Sequence, residues 1–563
     1  MKRTMFILFV AVAIAPAAAA DTQARSVGAH PVVYDDYPES DVVIDVGPDI
    51  VLTITGEART RFEWIENTSD FSGKGVESDF DNEEFDDAYS YAASRYNIGF
   101  RVDLPRDVAA VIELQGNFNM GGGVAGAGTE LRAQSTQHQR PGVINHQYPG
   151  LGRVGSSNNA LGIDANAKQL EIIRTLNDVD GDGVFVYQGY IETAHIGDSI
   201  FSMRFGRQEM AYGTEWLLGN QDWYDGQTFD GIKGIFEFTD KHRLDLFWAK
   251  LAERDTTVPG SVGSPVLDQG GNDSDLFGAY FSAQGLGGSK VGLDAYVMGL
   301  RDLGNIGWAV TTDPDGDIVT GEGLFTGGDL NYLEAYWVGV RFFRDVETGF
   351  HFSAEGTYLF GGMDGTFNGD DSGFDIRAWG FEGSAGFTWN TPSHPTIKGG
   401  ITYATGSSAS DFESGDWNTF FTPAGEVHPR LGLADLVDAS NVIAFNLGYT
   451  GSHERHSWGV DLYHFEMDEA DPLVEGSLVT EAAVVAGHGL DDELGQELDL
   501  WYNYQYSEHM VAQFAVAYFN AGNFIEDANR CAGGFCDPSD PPGADSVHTS
   551  DAWRVYANLL VRF

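Results

Sequence analysis

The chain has 563 residues, with 84 Asp and Glu against 32 Lys and Arg, a formal net charge of −52. That acid excess excludes a nucleic-acid binder, which must neutralise phosphates in bulk. Two cysteines exclude a disulfide scaffold, and 72 glycines with 13% aromatic residues suit strands and turns rather than helices.

Lys2 and Arg3, the apolar run Met5 to Ile14 and the small residues Ala18-Ala19-Ala20 predict a secretory signal peptide over residues 1–20. Residues 21–49, with Asp35, Asp36, Glu39 and Asp41, are expected to form a periplasmic extension. No later stretch is long and apolar enough to span a bilayer as a helix. Residues 50–563 are expected to be an outer-membrane β-barrel, which needs apolar residues on one strand face only.

The first strand shows why. Between Thr55 and Trp64, Gly56, Ala58, Thr60, Phe62 and Trp64 alternate with Glu57, Arg59, Arg61 and Glu63. A period of two with charge on one face is a strand between an apolar phase and water. Tyr96 to Leu104 and Phe350 to Phe360 repeat the pattern. These runs are about 10 residues, the length of a tilted transmembrane strand.

The connections alternate too. Short turns are expected at Pro105-Arg106-Asp107, His195 to Asp198, Asp240-Lys241, Gly285 to Gly288, Asp345 to Glu347, Thr391 to His394, Gly451 to Glu454 and Ser507-Glu508. Between them lie long polar stretches near 66–90, 120–183, 209–228, 252–274, 302–332, 361–374, 405–440, 466–494 and 520–551. Nine long and eight short connections imply an all-β fold: a transmembrane antiparallel barrel of about 18 strands, with short periplasmic turns and long extracellular loops. Such a barrel is wide enough to enclose an aqueous channel. The last strand, Trp553 to Phe563, keeps the alternation, with Arg554, Asn558 and Arg562 on its even face, and ends on an aromatic. Trp64, Tyr89, Trp389, Trp501 and Trp553 stand at strand ends, where an interfacial girdle is expected.

The run Gly206-Arg207-Gln208-Glu209-Met210-Ala211-Tyr212-Gly213, then Gly219-Asn220-Gln221-Asp222-Trp223, then Thr228-Phe229-Asp230-Gly231, resembles the alginate export porin family. Gln188, Tyr190 and Glu192, the block Phe420-Phe421-Thr422-Pro423 with His428, Gly432 and Asp435, and Gly495, Glu497, Leu498 and Asp499 are similar to it as well. The resemblance runs from about Gly56 to Phe563. It implies an eighteen-stranded outer-membrane channel, exported by its signal peptide to the bacterial outer membrane, that passes polyuronate through an arginine-lined constriction. One departure stands out. The family pattern has an Arg soon after Tyr-Gly, where this chain reads Thr214-Glu215-Trp216.

Strand parity and the resemblance together give candidate pore-lining residues: Arg59, Arg61, Arg95, Arg101, Arg207, Arg341, Arg377 and Arg554, with Glu113, Glu192, Glu497 and Asp499. Arg204 and Arg207 differ in parity, and the motif favours Arg207. Arg binds a carboxylate bidentately, so a row of such groups suits a polyuronate. Only 8 of the 32 basic residues are Lys. The same arginines also suit bracing of the wall against lumen carboxylates.

The acid lies mostly in loops; between Glu66 and Ser90 there are nine acids and one Lys74. Asp178, Asp180 and Asp182 begin like a calcium loop, as do Asp313, Asp315 and Asp317, but Gly189 stands where the first would need its bidentate Glu. A Ca²⁺ site of another geometry is left open, and no other cofactor is expected. Cys531 and Cys536, with four residues between them in the last loop of an exported chain, are expected to pair as a disulfide. The function expected is a channel for anionic polysaccharide or oligosaccharide. The alternatives are a general or small-solute porin and a surface-structural or adhesin barrel. No nucleophile motif suggests an enzyme. Expected partners are outer-membrane lipid and lipopolysaccharide, the transported solute and periplasmic secretion proteins, with no nucleic acid.

Overall fold

The computed structural model describes residues 42–66, 76–77, 84–85, 89–120, 183–253 without 221, 224 and 225, 273–302, 310–312, 318–320, 330–367, 370–470 without 426, 427 and 429, 491–524 and 551–563. The signal peptide, Asp178, Asp180, Asp182, Cys531 and Cys536 lie outside the described residues.

Eighteen strands form the wall. They are β1 (Ile50–Glu66), β2 (Tyr89–Leu104), β3 (Val108–Met120), β4 (Gly183–Thr193), β5 (Phe201–Gln208) and β6 (Phe229–Thr239). Then come β7 (His242–Glu253), β8 (Asp273–Ala283), β9 (Gly292–Asp302), β10 (Leu330–Arg344), β11 (Gly349–Phe367) and β12 (Asp370–Thr388). The last are β13 (Thr396–Ala404), β14 (Val442–His453), β15 (His456–Glu466), β16 (Glu493–Ser507), β17 (Met510–Ala521) and β18 (Ala552–Arg562). Each pairs antiparallel with its successor. The sheet closes where β1 pairs with β18, from Glu57↔Arg562 to Glu66↔Trp553. Closure removes every edge, the condition for a sheet to sit in lipid. A short strand before the barrel, Val42–Gly47, folds back on β1.

The eight short turns fall where the sequence puts them. Eight of the nine long connections do as well. The sixth differs: the glycine-rich stretch 361–374 is not a loop. β11 and β12 pair without a break from Gly349↔Thr388 to Phe367↔Asp370. Glycine weakens a strand but does not prevent pairing when the partner strand is continuous.

The alternation sorts side chains as expected near the closure. Phe62, Trp64, Phe514 and Leu559 are exposed on the outer face, whereas Arg59, Arg61, Glu63, Arg554 and Asn558 are buried inside. Trp64, Trp389 and Trp553 face outward, but Trp501 is buried, and its indole N–H donates to Asp461 at 3.1 Å.

Two connections fold into the lumen, the one after β5 and the one after β13. Met210, Trp216, Leu217, Leu218 and Trp223 from the first pack with Trp417, Phe420, Phe421, Leu431, Leu433, Leu436 and Val437 from the second. Wall residues facing this core are apolar: Leu276, Met298, Leu333, Trp337, Leu359 and Ile376. On these strands the usual rule of apolar outside and polar inside is reversed at the level of the loops.

Candidate functional site

The lumen has two parts, set by how far the two loops reach. The loops join each other first. Leu218 and Ala424 form a parallel bridge. The Gly219 N–H donates to the Ala424 carbonyl at 3.0 Å, and the Ala424 N–H to Leu217 at 3.1 Å. Trp216 stacks on Phe420 with centroids 5.4 Å apart, and Trp223 on His428 at 3.8 Å. The Trp337 indole donates to the Phe421 carbonyl at 2.8 Å, tying the second loop to β10.

Charged groups then tie the loops to the wall. Arg59 donates to the Asp222 carbonyl at 2.6 Å. Arg95 lies between Glu57, at 2.6 Å, and the Asp222 carboxylate. Burial raises the Asp222 pKa, but the Arg95, Arg59 and Arg562 guanidiniums outweigh it and hold the carboxyl at about 2. Arg61 lies 2.7 Å from Glu63 and 4.1 Å over the Trp223 ring. Arg554 donates to Glu63 at 2.8 Å and also to Asp435, which holds His428 at 2.6 Å. Burial drives the His428 imidazole down to about 4, against the pull of Asp435. On β16, Glu497 accepts from the Ala434 N–H at 2.8 Å and Asp499 from the Leu433 N–H at 3.0 Å.

So Arg59, Arg61, Arg95 and Arg554 do face inward, at 1% exposure or less. Their partners are lumen carboxylates and the infolded loops. Glu113 joins Asn97 and Gln188, each at 2.8 Å. Arg341 also faces inward and donates to Asp294 at 2.8 Å.

Two expected lumen arginines lie elsewhere. Arg207 shares the outer face of β5 with the exposed Met203 and Phe205, and binds Asp230 bidentately at 2.8 and 2.7 Å. Arg204 takes the inward position instead, 2.6 Å from Glu192 and stacked over Tyr190. Arg377 lies outside with the exposed Trp379 and pairs with Asp375 at 2.7 Å. Its neighbours Ile376 and Ala378 are the inward pair, because they face the apolar loop core.

The family-motif residues are mostly architectural. Gly206 has φ 129°, a region that favours glycine, and a Cβ there would run into the Gly189 carbonyl. Gln208 is fully buried and donates to the Gly206 carbonyl at 3.2 Å. Tyr212 stacks on Tyr280 at 4.6 Å and donates to Asp245 at 3.2 Å. Gly213 follows at φ 65°, and Phe229 is buried under the first loop.

Below the loops the lumen opens. Arg101 on β2 and Arg243 on β7 face inward, pairing with Asp103 at 2.9 Å and Asp245 at 2.6 Å, yet their side chains are 38% and 45% exposed. With Arg204 and Lys233 they form an arc of cations on the periplasmic half. Lys233 is buried beneath Tyr212, 6.0 Å from its ring, and has no ion pair among the described residues. Sequence reasoning missed Lys233 and Arg243; inward parity on β6 and β7 was the signal for both. It also missed Arg430. That side chain donates to Glu382 and to the Thr214 carbonyl, so the second loop brings a guanidinium to the Thr214 position.

The sequence pattern of the alginate export family matches residues 156–535. No curated protein matches the chain in sequence. Solved structures it is similar to include Acinetobacter baumannii OccAB4, at 10% identity and TM-score 0.42, covering 91% of this chain and 98% of that one. Pseudomonas aeruginosa OpdQ follows at 9% identity and TM-score 0.42, covering 91% and 97%. Pseudomonas aeruginosa OccK9 has 9% identity and TM-score 0.45, covering 91% and 98%.

Proposed function

The chain belongs to the alginate export family, and from that premise we propose that this outer-membrane barrel passes anionic polysaccharide or oligosaccharide of the polyuronate kind. The observation that carries the reading is the inward arc of Arg101, Arg204, Lys233 and Arg243 beneath the paired loops. Asp103, Glu192 and Asp245 pair with three of these cations, so the vestibule offers a passing anion exchangeable guanidinium contacts rather than a large positive field. Carboxylates spaced along a polymer find guanidiniums on adjacent strands, each contact weak enough to be exchanged for the next. The infolded loops act as the constriction. Their contacts to Arg59, Arg95 and Arg554 fix its shape, so the buried arginines brace the gate and the exposed ones meet the solute.

The test is single-channel current in a planar bilayer with polymannuronate titrated in. Block by the polymer, weakened in Arg204→Ala with Lys233→Ala and unchanged in Arg207→Ala, supports the reading. A small-solute porin is the second reading, favoured by the Leu218–Ala424 bridge that narrows the lumen. A pore that conducts but ignores the polymer would establish that one instead.

A further inference from the structure

The outer face of the wall carries a row of charge that the channel does not use. It runs through directly opposed residues on six consecutive strands: Arg207, Asp230, Lys250, Asp275, Arg301 and Glu334. The signs alternate at every step. Arg207 and Asp230 are 2.7 Å apart, Lys250 and Asp275 3.6 Å, and Arg301 and Glu334 3.7 Å. All face away from the lumen, since their strand neighbours Ala249, Leu276, Leu300 and Leu333 are buried inside. The row continues through Gly362 to Asp375, which Arg377 pairs.

The height of this row is informative. Lys250 and Asp275 lie about eight residues from the turn ends of β7 and β8, and Glu334 about ten from that of β10. On tilted strands that is roughly 20–25 Å, the height of the apolar band of such a barrel. The outward positions below it are apolar and exposed: Leu246, Trp248, Val297, Val338, Val340 and Phe342. The row therefore stands at the headgroups of the outer leaflet. Across the closure the outward face is apolar through Phe445, Leu447, Leu462, Leu500, Phe514 and Leu559, and at the row's height it carries the His464–Glu466 pair, 2.9 Å apart, with Gln496 and Asn520 exposed on the next strands, in place of a continuous alternation of charge.

We propose that the row Arg207 to Glu334 is a binding site for phosphorylated glycolipid headgroups of the outer leaflet, together with the divalent cations that bridge them. Charge complementarity selects this occupant. Such a leaflet is itself an alternation of phosphates and divalent cations. Guanidinium and ammonium groups bind the phosphates, and carboxylates bind the cations, so the row replaces both partners where the leaflet meets protein. A phospholipid with one headgroup phosphate and no bridging cation matches only half of it. The proposal uses the outer face alone and stands whatever the lumen passes.

The full-length protein in detergent is titrated with purified rough-type lipopolysaccharide and Mg²⁺, or with phosphatidylglycerol, and bound lipid is counted by native mass spectrometry. Wild type is expected to hold lipopolysaccharide more tightly than phosphatidylglycerol and to lose it on chelation. Lys250→Gln with Arg301→Gln should bind on the order of tenfold more weakly, each cation near an anionic surface contributing a few-fold. Asp230→Asn with Asp275→Asn should lose the Mg²⁺ dependence. Arg301→Gln alone, at a half-exposed position, serves if a double variant does not fold. Variants that bind lipopolysaccharide as wild type does would overturn the proposal. So would melting lowered equally in both lipids with binding unchanged, which makes the row a brace. Dissociation of an oligomer without loss of lipid would make it an interface between copies of the chain.

Discussion

Trp223 and His428 stack face to face, with ring centroids 3.8 Å apart and planes 11° from parallel. They come from different loops, so this contact locks the two halves of the constriction together. Trp223→Ala removes one face of the stack and the platform under Arg61. The variant is expected to lose about 3–5 kcal/mol, the usual cost of truncating a buried aromatic, if the loops and barrel unfold together. If the loops release alone, single-channel conductance rises while barrel melting stays constant. Conductance and melting measured on one preparation separate the two; no change in either would sink the locking role.

Arg554 joins β18 to Glu63 on β1 and to Asp435 on the second loop. Arg554→Met leaves the buried Asp435 carboxylate without its guanidinium and Glu63 with Arg61 alone, at a cost of about 3–5 kcal/mol. Urea unfolding in detergent, followed by the heat-modifiable gel shift, reads this directly. Arg554→Met with Asp435→Asn should recover part of the loss.

Lys233 tests the vestibule from beneath Tyr212 of the first loop. Lys233→Gln is expected to lower the anion-to-cation permeability ratio by about twofold or more, the weight of one charge some 10 Å away in water. Reversal potentials in a salt gradient measure it. An unchanged ratio would place the selectivity higher, at the loops.

His428 makes the gate pH-sensitive. Its folded pKa of about 4 lies below the ordinary 6.5, so protonation disfavours the docked state. The folded state binds fewer protons than the unfolded one between these values, and stability must rise with pH across that window. The contribution is full above about 6.5 and is lost as pH falls toward 4, by up to roughly 3 kcal/mol. Asp435, Arg554 and Arg61 are the charged groups that surround the ring. The difference in melting between wild type and His428→Gln, taken from pH 7 to 4, should shrink on acidification. A constant difference would mean that His428 does not titrate in the fold.

Much of the fold was legible in the sequence because a lipid-facing strand obeys a simple rule. Phe62 and Trp64 outside, with Arg61 and Glu63 inside, needed only the period of two. The rule failed where the lumen is not water. Phe374, Ile376 and Ala378 turn inward against Trp417 and Phe420, which sends Asp375 and Arg377 to the outside. The infolded loops had a signal of their own. Trp216, Leu217 and Leu218, and Leu431, Leu433, Leu436 and Val437, are apolar runs inside stretches that count as polar overall. Arg207 was misplaced because the motif outweighed the parity of Met203 and Phe205 on the same strand. Arg430 was beyond reach, since nothing local ties it to Thr214, more than two hundred residues away in the chain.

The contact between Asp435 and Arg554 also sets an order of events. The loop after β13 is synthesised well before β18, yet one of its anchors is on that last strand. A barrel still waiting for its final strand can hold the loop through β10, β16 and the first loop, but lacks the Arg554 catch. Arrival of the C-terminal strand therefore adds the last latch to the gate.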